Sequence, residues 1–133
     1  MAPAAAKKTI LFIDDDEDLR CALGRLLERA GYHVLYAANG DEGLLRAAQE
    51  RPALILLDYI MPIKDGFTVS QELGQLPGMS GVPIIVLTAF GQNIGEISGL
   101  PHPRARLCIS DFLEKPVEAN VLLDRIAGVL ARG

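Results

Sequence analysis

The 133-residue sequence has no excess of positive charge, no long apolar run and very little cysteine or histidine. Each shortage removes a class of function. Basic residues number 13 against 17 acidic ones, which gives a net charge of −4 and a pI near 5.1. No basic field exists to hold a phosphate backbone or an anionic leaflet, so direct nucleic-acid binding is not expected. No apolar stretch approaches the roughly 20 residues of a membrane span, and "MAPAAAKK" lacks the charged start and hydrophobic region of a signal peptide. The chain reads as cytoplasmic, with no membrane partner. Cys21 and Cys108 have no Cys or His near them at metal-ligand spacing, and both sit in apolar patterns where a thiol packs as a small hydrophobe. His33 and His102 read as surface or loop residues without a catalytic part.

What the sequence does have is apolar: half of its residues are hydrophobic. A chain of this length forms one domain that buries roughly two-thirds of its unfolded surface. Residues 1–8 form a small-residue and lysine tail, and the domain runs from 9 to 133. "TILFI" is a short continuous apolar run, the mark of a strand covered on both faces. After it, Leu19, Leu23, Leu26, Leu27 and Ala30 recur at helical spacing and stop at Gly31. "HVLYAA" is a second strand, and a helix from Asp41 to Glu50 carries Leu44, Leu45 and Ala48 before Pro52 ends it. "ALILLD" (53–58), a helix from Phe67 to about Leu76, "VPIIVLT" (82–88), "DFLEK" and a last helix with Val121, Leu122, Ile126 and Val129 continue the alternation. The expected fold is α/β, with five strands in a parallel sheet and helices on both faces. One interval resists: "FGQNIGEISGLPHPRAR" (90–106) has glycines and prolines where a fourth helix belongs, so any helix there is short and an extended loop follows.

In such a sheet, ligands sit outside the carboxyl ends of the strands. Asp14 and Asp15 end the first strand, Asp58 the third, Thr88 the fourth, and Lys115 with Pro116 the fifth; the second ends in the weakly charged "AANG". Three carboxylates at one edge either hold a proton at raised pKa or take a cation, and a hard divalent ion such as Mg2+, or Mn2+ in its place, suits oxygen donors. Lys115 and Thr88 add a cation and a hydroxyl suited to a phosphoryl group. Asp16, Glu17 and Asp18 have the simpler reading of a helix N-cap and first turn.

"ILFIDDDEDLR", "LILLDYIMPIKDG", "PIIVLTA" and "DFLEKPV", in this order and spanning Lys8 to about Leu130, resemble the receiver domain of two-component response regulators. The resemblance implies a flavodoxin-like strand order 2-1-3-4-5. It implies that Asp58 accepts a phosphoryl group from a histidine kinase or a histidine phosphotransfer protein, in a reaction the domain itself promotes and slowly reverses. Asp15 would bind Mg2+ directly, Asp14 through water, and the main-chain carbonyl of Ile60 would add a ligand. Thr88 and Lys115 would contact the phosphoryl oxygens, with Thr88 and Phe112 as the switch pair that alters a protein-binding surface.

The interval from Thr88 to Lys115 is longer than the family's usual one, so segment 91–106 is expected to be remodelled. Ile60 and Phe90 are bulky and should hinder the water that attacks the acyl phosphate. No effector segment follows Arg132 in this sequence, so output is expected through contacts with another protein, as a monomer or weak homodimer, or else the chain is a piece of a longer one. Two other readings stand beside this one. The fold could bind partners independently of phosphate, or "FIDDDED" could start a haloacid-dehalogenase-like phosphatase with Asp14 as nucleophile and Asp16 as acid-base.

Overall fold

The computed structural model describes residues 7–59, 66–79, 81–88 and 110–132. The five apolar runs form strands β1 (Thr9–Ile13), β2 (His33–Ala37), β3 (Leu54–Asp58), β4 (Ile84–Thr88) and β5 (Asp111–Glu114). Every pairing is parallel, and the order is β2-β1-β3-β4-β5, the expected flavodoxin-like arrangement. Helices α1 (Glu17–Arg29), α2 (Gly40–Glu50), α3 (Gly66–Gln75) and α4 (Ala119–Arg132) cover both faces.

Alternation along each strand divides the core into two halves. Ile10, Phe12, Leu54, Leu56, Ile85 and Leu87 pack with Leu23 and Leu27 of α1 and Leu122, Ile126 and Val129 of α4. Leu11, Ile13, Ile55, Leu57, Ile84 and Val86 pack with Ala47 of α2 and Val69 and Leu73 of α3. Each fully buried aliphatic side chain contributes about 1.5–3 kcal/mol by leaving water. That burial is what fixes the register which lines up the strand ends.

The helix ends follow local chemistry. The Asp16 carboxylate accepts a hydrogen bond from the Leu19 N–H at 3.1 Å, and Glu17 and Asp18 complement the positive end of α1. Gly31, at φ +102°, takes the left-handed turn that lets the chain leave that helix. Asn39 caps α2 through the Glu42 N–H, while Glu42 reaches back to the Ala38 N–H.

Two expectations are corrected. Leu45 is 58% exposed and Ala48 is exposed as well; α2 instead buries Gly40, Gly43 and Ala47, with Leu44 half-buried. The helix sits so close to the sheet that a Cβ on Gly43 would lie 2.4 Å from Ile13 Cδ1, so its packing face is made of small residues. Cys21 is also exposed rather than packed, lying about 200° around α1 from the buried Leu23. Native protein is therefore expected to be alkylated fully at Cys21 by iodoacetamide without denaturant, and peptide mapping that finds Cys21 protected would contradict this placement. Segment 91–106, expected to be remodelled, together with Phe90, Cys108 and most of the 1–8 tail, lies outside the described residues. Among the described residues, no helix is long and apolar enough to cross a membrane.

Candidate active site

The carboxyl edge of the sheet brings the polar residues of separate strands together. Asp14 directly follows β1, Asp58 ends β3, Thr88 ends β4 and Lys115 directly follows β5. The registers Ile13↔Leu57, Asp58↔Leu87 and Thr88↔Glu114 hold these ends level. Main-chain bonds carry the pairing past the strands: Tyr59 N–H donates to Leu87 O at 2.9 Å, and Lys115 N–H to Thr88 O at 2.8 Å.

Asp14 is fully buried and held from several sides. Its N–H donates to Ala37 O at 3.1 Å, its Oδ1 accepts from Asp16 N–H at 2.9 Å, and its carbonyl oxygen accepts from Arg20 Nη1. Lys115 Nζ lies 3.2 Å from Asp14 Oδ2 and 3.1 Å from Asp58 Oδ1, so one ammonium bridges two buried carboxylates. Asp15 is exposed and closes the group: one carboxylate oxygen from each of Asp14, Asp15 and Asp58 can be chosen so that all lie within 4.8 Å of one another.

The electrostatics follow from burial. Loss of hydration pushes the Asp14 carboxyl above its ordinary 3.8, against the opposing pull of the Asp16 N–H and Lys115. For Lys115, burial alone would lower the pKa, but Asp58 and Asp14 outweigh it and raise the ammonium above 10.5. Three carboxylates against one ammonium leave two negative charges in excess. A cluster of hard oxygen donors with that charge fits a divalent cation, and an ion of two charges would balance it.

Thr88 is buried, and alternation puts it on the face of Ile84 and Val86. Phe112 is half-buried against that same part of the core. The two expected switch residues therefore share a face of the sheet, and Ile60 lies outside the described residues. Asp16 does not join the cluster: its carboxylate is committed to the α1 cap. Sequence reasoning missed Arg20, whose bond to a main-chain oxygen leaves no motif, and Gly66, which has no side chain to mark it.

A family model described as "Response regulator receiver domain" matches residues 10–127. Protein PilH of Pseudomonas aeruginosa is 35% identical over 122 residues, covering 92% of this chain and 97% of PilH. Transcriptional regulatory protein AfsQ1 of Streptomyces coelicolor is 38% identical over 125 residues, covering 94% of this chain and 52% of AfsQ1. The chain spans about half the length of the transcriptional regulators it matches. The structure of chemotaxis response regulator CheY4 of Vibrio cholerae superposes with a TM-score of 0.83 at 27% identity, covering 93% of this chain and 99% of that one.

Proposed function

Because the chain belongs to the response-regulator receiver domain family, we propose that it is a phosphorylation-controlled signalling switch with Asp58 as the phosphoryl acceptor. The observation that carries the reading is the Lys115 ammonium bridging Asp14 and Asp58 at the carboxyl edge, with Asp15 completing an all-oxygen donor set. The donor is a phosphorylated histidine on a kinase or phosphotransfer protein, and the domain works in the cytoplasm.

Mg2+ held by Asp15 and Asp58, with Asp14 behind a water, would supply charge neutralisation for the incoming phosphoryl oxygens. The residues of the chain do the rest. A carboxylate oxygen of Asp58 attacks phosphorus in line as the bond from phosphorus to the donor nitrogen breaks, and the departing imidazole keeps that electron pair. Lys115, already poised between the two carboxylates, turns to the new negative charge, and the Thr88 hydroxyl donates to a phosphoryl oxygen. Movement of Thr88 opens room on the face where Phe112 is half-buried, and rotation of Phe112 changes the outer surface offered to a partner.

The test is intact-mass analysis after incubation with a small-molecule acyl phosphate, with and without Mg2+, followed by mapping of the adduct. One phosphoryl group on Asp58 that requires Mg2+ is the expected result. A group mapped to Asp14 would move the nucleophile. Failure to label with either the small donor or a phosphorylated phosphotransfer protein would favour a binding module that acts without phosphate.

A further inference from the structure

We propose that Gly66 is a positioning residue for Asp58, its missing side chain being what allows the first turn of α3 to rest against the main chain that carries the acceptor. The proposal deepens the reading of Asp58 given above and rests on it.

Three described glycines face close neighbours, and they differ in what they face. A Cβ on Gly24 would meet the half-buried Tyr36 phenol and a Cβ on Gly43 the buried Ile13 side chain, in both cases side-chain atoms. A Cβ on Gly66 would lie 2.6 Å from Asp58 O and 2.7 Å from Tyr59 Cα, which are main-chain atoms. Gly66 is buried, and its N–H donates to Tyr59 O at 2.7 Å, so the helix start and the strand end are tied as well as touching. No rotamer change relieves such an overlap. The peptide after Asp58 and the first turn of α3 must part by roughly 0.8 Å before the contact becomes an ordinary one of 3.4 Å, and steep short-range repulsion enforces that separation.

Displacement at that peptide reaches the acceptor directly. Asp58 Oδ1 is only 3.1 Å from Lys115 Nζ, and the Tyr59 N–H is bonded to Leu87 O. Alanine is the better helix former, so local propensity alone predicts that Gly66→Ala is harmless or favourable. The overlap predicts the opposite, and it concerns placement of Asp58 more than survival of the fold.

The experiment compares wild type, Gly66→Ala and Gly24→Ala. Phosphoryl transfer from a small acyl phosphate is measured at saturating Mg2+, well below the melting transition. A displacement near 1 Å should slow Gly66→Ala by about 10- to 100-fold, while Gly24→Ala stays within about twofold. The second readout needs no metal. Melting temperatures of wild type, Asp58→Asn, Gly66→Ala and the double variant form a cycle, in which the shift caused by Asp58→Asn should fall to less than half in the Gly66→Ala background. A glycine with only a structural role gives equal shifts. If Gly66→Ala does not fold alone, the cycle is run in an Asp14→Asn background, where Lys115 still meets Asp58. Labelling of Gly66→Ala within twofold of wild type, or equal shifts in the cycle, would overturn the proposal. A wild type that labels neither from the small acyl phosphate nor from a phosphorylated phosphotransfer protein refutes the acceptor reading instead, and the metal-free cycle then decides the placement of Asp58 by itself.

Discussion

Replacing Lys115 by methionine is expected to lower the stability of the metal-free protein at pH 7 and to tighten its hold on Mg2+. The ammonium meets the carboxylates of both Asp14 and Asp58 within 3.2 Å. Removing one partner of a fully buried pair costs about 3–5 kcal/mol. Lys115 keeps 24% of its side chain exposed, so water screens part of the loss and about 2 kcal/mol is the expected cost. That corresponds to a Tm roughly 6–10 °C lower for a domain of this size. Methionine keeps much of the aliphatic length, so the effect is mainly electrostatic.

The same substitution concentrates negative charge around the cation, so calorimetry should find a lower Kd for Mg2+. Phosphorylation should nonetheless slow by about 100-fold or more, because the variant lacks the donor that meets the charge developing on the phosphoryl oxygens. Tighter binding with slower chemistry separates this account from simple damage to the site. The pKa of Lys115 is raised in the fold, so its stabilising contribution is complete below 10.5 and disappears as pH rises through the raised value. The two Tm curves should therefore stay apart through neutral pH and converge in strong alkali. Weaker Mg2+ binding by the variant would contradict this account.

The strands were legible because a strand covered on both faces has to be apolar along its length, and "ILFI" and "IIVL" are. The polar ends were legible for the complementary reason: Asp14, Asp58 and Lys115 break those runs on the same side, and a parallel sheet gathers such breaks at one edge. The strand order had no such signal. Continuous apolar runs are interchangeable as partners, and the order came with the family resemblance.

Where the reading failed, close approach was the cause. Apolar spacing in α2 pointed to Leu45 and Ala48, but the helix packs through Gly43 and Ala47, which carry little or no side chain to be counted. Gly66 was hidden in the same way, since its importance lies in atoms it lacks. Arg20 acts on the main-chain oxygen of Asp14, a partner that any sequence would supply.

Asp14→Asn is expected to reverse the order of stability with the metal content of the buffer. Burial raises the Asp14 pKa despite Lys115 and the Asp16 N–H, so the folded protein binds that proton more tightly than the unfolded chain. The resulting penalty is absent below the ordinary value of 3.8, grows as pH rises from there towards the raised one and is complete above it, where the folded carboxyl is ionised. Asparagine keeps an oxygen for its neighbours and carries no charge, and Lys115 retains Asp58. Without metal at pH 7, the variant should be the more stable protein and melt at a higher temperature. Mg2+ inverts this result, because an ion that binds only the folded state adds about 2.7 kcal/mol at one hundred times its Kd. The wild type keeps all three carboxylates and receives that increment, whereas the variant has lost one and receives much less. Thermal melts across a Mg2+ titration should cross, with the variant higher at the start and the wild type higher at saturation. At a pH below 3.8 the metal-free difference should vanish. A variant that is the less stable protein in metal-free buffer at pH 7 would mean that the buried Asp14 charge is already fully compensated by Lys115 and the main chain, and that the site has no electrostatic need of a cation.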